Sequence, residues 1–317
     1  MTLPTMRAHR LAERPIARRW LIDGLWADEA VGIVGGEPKC CKSFLALDMA
    51  VSVAGGVPCV RNFAPAQTGR VLLFAAEDAL HIVRQRLAGI ARAAGRVLED
   101  LDIHVITAPS VRLDVELDRD ALTATVAELR PKLLILDPFV RLHRIDENLS
   151  GEVAPLLAYL RELQRRFHVA VVLVHHARKG GAKMRAGQAL RGSSEFHAWG
   201  DSNLYLRRHG DLLALSVEHR AAASITAISL QLAIDGDVVA LTAIDRAITV
   251  DAPAAAAAPI TLAEKIEAQL ASADAPLTAA GLRKLCRVRN ASLTAALTDL
   301  VAAGRVRKDA AGYVISR

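Results

Sequence analysis

A lysine and a serine, Lys42-Ser43, close a turn that Gly36 opens, between the apolar run Val31–Val34 and a helix-like run that continues to Ala50. Apolar strand, glycine-led turn, Lys-Ser and amphipathic helix, in that order, make a phosphate-binding loop. Its chemistry comes from backbone N–H groups turned onto phosphate oxygens and from the positive end of the following helix. Gly36, Glu37, Pro38, Lys39, Cys40, Cys41, Lys42, Ser43 and Phe44 are the candidate phosphate-lining residues. Lys42 is expected to reach the β- and γ-phosphates and Ser43 to ligate Mg²⁺. The usual pattern is G-x-x-x-x-G-K-[ST], and Cys41 stands where the second glycine belongs. A side chain where backbone must approach phosphate closely predicts weakened or adjusted binding rather than abolished binding.

Three further groups carry chemistry. Leu134-Ile135-Leu136-Asp137 is an apolar run ending in a carboxylate, a residue type that holds Mg²⁺ through water, although a strand-terminal Asp is also a common turn residue. Glu77, in LLFAAEDAL, ends another apolar run and is the candidate to direct an attacking water. Asp78 competes for that role unless it begins the next helix. His175-His176 closes VAVVLV. A lone histidine is usually structural, but a pair at a strand end could sense a γ-phosphate or attached DNA.

These groups act together only if one scaffold delivers them to one place. Apolar runs at 30–34, 70–75, 102–107, 132–136 and 169–174 predict strands, and the runs at 43–54, 79–94, 119–129 and 152–167 predict helices. The strands are apolar throughout rather than alternating, as in a parallel sheet covered on both faces. Such a sheet opens all its strand C-termini on one edge, where ligands bind. After Gly200 the closely spaced β-rich runs SNLYLRR, LLALSVEH, ITAISLQLAI and VVALTAI predict an antiparallel extension of the same sheet. The fold class is therefore α/β, with residues 30–250 as the main domain.

Residues 1–29 carry five arginines before Trp20, Leu21 and Leu25, and are expected to be either an arm packing on a neighbouring subunit or a loosely ordered lead-in. The Ala/Pro tract 251–260 reads as a linker, or as a short helix in its poly-Ala part. Residues 261–317 predict three helices and a hairpin, a winged helix-turn-helix, the first helix opening on a Thr261–Glu264 capping box.

Composition narrows the classes. Of 317 residues, 52% are hydrophobic and 23% charged, which excludes a disordered chain. The net charge of +6 permits a polyanion partner without requiring one. The four cysteines, Cys40, Cys41, Cys59 and Cys286, show no C-x-x-C spacing, so neither a disulfide scaffold nor a zinc site is expected. The longest apolar runs are too short for a membrane span, and the basic N-terminus lacks the apolar centre of a secretory signal. The expectation is a cytoplasmic protein.

Taken together, G-G-E-P-K-C-C-K-S-F-L-A-L-D, F-A-A-E-D, L-I-L-D-P and V-H-H-A-R-K resemble the RepA-type branch of the RecA-like P-loop ATPases, relatives of the ring-shaped replicative helicases, over roughly residues 20–245. The resemblance implies a RecA-like core, a hexameric ring with Mg-ATP sites between subunits, and action on DNA, single-stranded for preference. It implies that Glu77 is the catalytic glutamate and that a histidine of the pair, His176, is the γ-phosphate sensor. It implies an arginine finger from the neighbouring subunit, which Arg220 in SVEHRAA matches best, ahead of Arg207 and Arg191. It also implies that the basic, glycine-rich loop 177–194, with Arg178, Lys179, Lys183, Arg185 and Arg191, faces a central channel and contacts nucleic-acid backbone. In the C-terminal unit, Arg287 and Arg289 are placed for phosphate contacts. The third helix offers only Ser292, Thr294 and Thr298 for base edges, so strong sequence readout is not expected. Two readings stand: an ATP-driven DNA helicase or translocase, and a nucleotide-gated DNA-binding regulatory ATPase without helicase activity. A phosphoryl transferase is disfavoured because no acceptor-binding feature is visible.

Overall fold

The computed structural model describes residues 3–11, 19–176, 195–236, 238–245, 262–273, 275–286, 290–309 and 311–315. The chain forms two compact units, Met1–Val250 and Asp251–Arg317.

In the first unit the elements follow in the order β1 (Trp20–Ile22), β2 (Trp26–Ala27), β3 (Val31–Gly36), α1 (Lys42–Gly55), β4 (Val71–Ala75), α2 (Leu80–Ala93), β5 (Ile103–Val105), α3 (Glu116–Leu129), β6 (Leu133–Asp137), α4 (Ser150–Phe167), β7 (Ala170–His176), α5 (Glu195–Trp199), β8 (Ser202–His209), β9 (Leu212–His219), β10 (Ile225–Asp235) and β11 (Val238–Ala243). Among the described residues, β3 to β11 join in one sheet of nine strands ordered β11-β10-β9-β8-β3-β7-β6-β4-β5. The strands β3, β7, β6, β4 and β5 pair in parallel. β3, β6 and all but the last residue of β7 are buried along their whole length, which is why these runs lack polar alternation. The helices α1 and α2 pack on one face with Leu45, Met49 and Ile90, and α3 and α4 on the other with Val126, Leu160 and Leu163.

Two expectations are corrected here. The extension is not antiparallel throughout: β8 pairs with β3 in parallel, Val34 opposite Leu204, and antiparallel pairing begins only between β8 and β9. β7 ends at the edge where the parallel strands finish, while Asp201, just before β8, donates its N–H to the Val31 carbonyl at the opposite edge, so β8 runs in the direction of β3. Gly32 makes the contact possible, since a Cβ there would lie 1.7 Å from the Ser202 carbonyl oxygen. The second correction concerns the N-terminal arm. Trp20–Ala27 is part of the core: Leu21, Ile22, Leu25 and Trp26 are fully buried, packed in one cluster with Leu45, Met49 and Cys59.

In the second unit, α6 (Leu262–Ala271), α7 (Ala279–Cys286) and α8 (Asn290–Ala302) precede a two-stranded antiparallel hairpin, β12 (Val306–Lys308) and β13 (Tyr313–Ile315). Ile266, Leu270, Leu282, Leu293, Leu297, Leu300 and Val306 form its own core. The Ala/Pro tract 251–260 and Thr261 lie outside the described residues.

Candidate nucleotide site

The sheet register brings the predicted groups to one edge. Gly36 at the end of β3 is opposite His176 on β7, and Ala75 at the end of β4 is opposite Asp137 on β6. The ends of four adjacent strands therefore present the Gly36 turn, His176, Asp137 and, two residues past Ala75, Glu77. Gly36 has φ +155°, and a Cβ there would lie 2.4 Å from the Leu206 carbonyl oxygen and 2.6 Å from Cys40 Sγ, so the first loop position accepts only glycine.

The loop itself answers the question that Cys41 raised. Cys41 has φ 62° and ψ 28°, the left-handed conformation that favours glycine, and Lys39 has φ 64°. A non-glycine residue there costs about 1 kcal/mol, which the loop tolerates. The Cys41 thiol lies 3.8 Å from Arg208 Nη2 on β8, and burial pushes it up from the ordinary thiol range while Arg208 opposes that shift. Lys42, only 5% exposed, donates from Nζ to the Glu37 carbonyl at 2.8 Å and lies 3.9 Å from Cys40 Sγ. An ammonium curled into its own loop against a carbonyl is poised for an anion that would replace that contact.

Asp137 is buried, and burial pushes its carboxyl up to about 6. The neighbouring Ser43 hydroxyl and Lys42 oppose that shift, while Asp78 and Glu77 reinforce it. The five side chains therefore share one electrostatic neighbourhood. A hydroxyl beside a buried carboxylate is a hard-oxygen pair that fits Mg²⁺, an ion that takes one or two protein oxygens and completes its shell with water and substrate phosphate. Among the described residues no cluster of three or more His, Cys, Asp or Glu could hold a metal by itself.

Both carboxylates after β4 are held by arginines. Glu77 accepts from Arg141 Nε at 2.9 Å, and Asp78 pairs with Arg86, whose guanidinium also lies 5.1 Å from the Phe44 ring centre. Neither histidine is a generic strand end. His175 is buried and stacks on Phe196 at 4.4 Å with Phe139 edge-on at 6.0 Å, a packing role. Strand alternation turns His176 to the face that carries α1 and the loop.

Arg220 does not reach its own chain's site. Its N–H bonds to the Asp201 carbonyl, beside Val31, and β3 separates Val31 from Gly36 by about 16 Å. Its side chain pairs with Asp201 at 3.2 Å and donates to the carbonyls of Ala198 and Trp199. Arg207 is on β8, half-buried, near the loop edge. Arg178, Lys179, Lys183, Arg185, Arg191, Arg287 and Arg289 lie outside the described residues. The contacts made by Arg208, Arg141 and Arg86 were not foreseen. Arg208 is separated from Lys39 and Cys41 by well over a hundred residues, and no local pattern marks it.

A match to the AAA_25 family, an AAA domain, covers residues 1–182, from the N-terminus past His176. The chain belongs to this AAA-domain family. Two solved structures share the fold of this AAA domain: a DnaB-like replicative helicase described with its interactions with primase (13% identity, TM-score 0.52, covering 67% of this chain and 57% of that one) and the RadB recombinase (15% identity, TM-score 0.51, covering 69% and 92%). The chain thus spans little more than half the length of the helicase it matches. At these identities the two structures share with this chain the fold, a parallel sheet with the phosphate-binding turn between β3 and α1. Among the described residues no helix is long and apolar enough to cross a membrane.

Proposed function

We propose that this AAA-domain protein binds and hydrolyses Mg-ATP and acts on DNA, preferentially single-stranded, as a ring-forming RepA-type helicase or translocase. The observation that carries the reading is the convergence of Lys42, Ser43, Asp137 and Glu77 on the C-terminal edge of one parallel sheet, with Ser43, Lys42 and Glu77 all close enough to Asp137 to shift its ionisation. Lys42 would leave the Glu37 carbonyl for the β- and γ-phosphates. Ser43 and Asp137 would hold Mg²⁺, which neutralises phosphate charge. Glu77 would orient the attacking water, and His176 would meet the γ-phosphate side of the loop. A neighbouring subunit, in a hexamer by resemblance, would complete each site. Arg220 is suited to that role because Asp201 keeps Arg161 as a second partner, so Arg220 can leave without stranding the carboxylate. The basic loop 177–194 and the second unit, read as a winged helix with Arg287 and Arg289, are the proposed DNA contacts.

The test is ATP hydrolysis with and without single-stranded DNA. Stimulation by DNA that both Lys42→Ala and Glu77→Gln abolish is the expected result, and unchanged hydrolysis in either variant removes the mechanism. A second reading, a nucleotide-gated DNA-binding switch, is favoured by the Arg141–Glu77 ion pair, which occupies the proposed catalytic carboxylate. Tight nucleotide binding with negligible turnover and no strand displacement would select it.

A further inference from the structure

The departure from the loop pattern at Cys41 has a structural counterpart on β8. Arg208 Nη2 donates to the Lys39 carbonyl at 3.0 Å and lies 3.8 Å from Cys41 Sγ. Lys39 and Cys41 are the two loop residues other than glycine with left-handed backbone, φ 64° and φ 62°. A left-handed residue next to right-handed neighbours turns successive N–H groups to one side, which makes an anion-binding concavity. One guanidinium holds the Lys39 turn at its carbonyl and the Cys41 turn at its side chain, while the Cys41 carbonyl accepts the Leu45 N–H in the first turn of α1. A lone glycine needs no such support, whereas a residue with a Cβ in this conformation does.

We infer that Arg208 is a positioning residue for the phosphate loop, acting through the Lys39 carbonyl and the Cys41 thiol to hold the left-handed turns that the missing glycine would otherwise supply. The inference rests on reading the loop as an ATP site. Arg208 is exposed and belongs to no buried core, so its loss acts on the shape of the loop rather than on folding. The loop grips phosphate equally in the ground state and the transition state, so the effect falls on binding. The second prediction is coupling: with glycine at position 41 only the Lys39 turn still needs the clamp, so the loop depends on it less.

The experiment is equilibrium titration of Mg-ATP onto the full chain, with steady-state hydrolysis and thermal unfolding alongside. Arg208→Ala is expected to raise the dissociation constant and KM about tenfold, with kcat within about twofold and the unfolding midpoint unchanged. Arg208→Lys, which keeps one donor for the Lys39 carbonyl, recovers part of the loss. In a Cys41→Gly background, Arg208→Ala costs about threefold rather than tenfold, so the double-mutant cycle is non-additive. Arg208→Ala binding ATP like the wild type, or an equal loss in both backgrounds, overturns the inference while wild-type binding and its loss in Lys42→Ala leave the ATP-site reading intact. A wild-type chain that binds no ATP overturns both.

Discussion

Asp137→Asn should make the nucleotide-free protein more stable. The Asp137 carboxyl is buried and its ionisation is pushed from 3.8 up to about 6. A shift of about two pK units corresponds to about 3 kcal/mol between the protonation states. The sign follows from proton linkage. Between pH 4 and 6 the folded chain binds the proton and the unfolded chain releases it, so the stability present below pH 4 is lost as pH rises through 6. At pH 7.5 the whole cost is present in the wild type. The amide carries no charge, but it must place its own N–H₂, so the expected gain is about 1–2 kcal/mol rather than the full amount. Trp20, Trp26 and Trp199 all lie in the first unit, so tryptophan fluorescence follows that unit alone during urea unfolding. In Mg²⁺-free buffer the variant should exceed the wild type at pH 7.5, and the gap should close as pH falls through 6 towards 4. A variant less stable at pH 7.5, or a gap independent of pH, would refute the account of Asp137 as a carboxylate kept charged for a cation.

Two other substitutions test how the scaffold holds the loop. Asp48 on α1 is fully buried, pairs with Arg61 and accepts from the Val60 N–H at 2.7 Å, so Asp48→Ala strands both and should cost about 3 kcal/mol in the same unfolding assay; a loss under about 1 kcal/mol would show that the pair is dispensable. Gly32→Ala puts a Cβ 1.7 Å from the Ser202 carbonyl and should cost at least about 3 kcal/mol or leave the chain insoluble, and a soluble variant of near wild-type stability would contradict the β3–β8 register.

The parallel half of the sheet was legible because burial on both faces leaves uninterrupted apolar runs, and because Gly36, Lys42, Ser43, Glu77 and Asp137 each end or follow such a run. The direction of β8 was not. Strand alternation is the same whichever way a strand runs, although Ser202 to Leu206 is buried at every position, the trace of an interior strand. Trp20–Ala27 was not legible as core because basic residues precede a short apolar hairpin whose partners, such as Leu45 and Cys59, come later in the chain. The histidine pair separates only in three dimensions, where Phe139 and Phe196 enclose His175 and leave His176 on the loop's face. Arg208 and Arg141 act across long sequence separations that no local pattern records.

The central claim is that the turn between β3 and α1 holds Mg-ATP although Cys41 replaces its glycine. Calorimetric titration of a slowly hydrolysed ATP analogue with Mg²⁺ onto the wild type and Lys42→Ala tests it directly. The account predicts one saturable site per chain in the wild type and at least a tenfold weaker one in Lys42→Ala, with unchanged unfolding of the nucleotide-free protein. Equal affinity in the two chains, or no binding by the wild type, would contradict it.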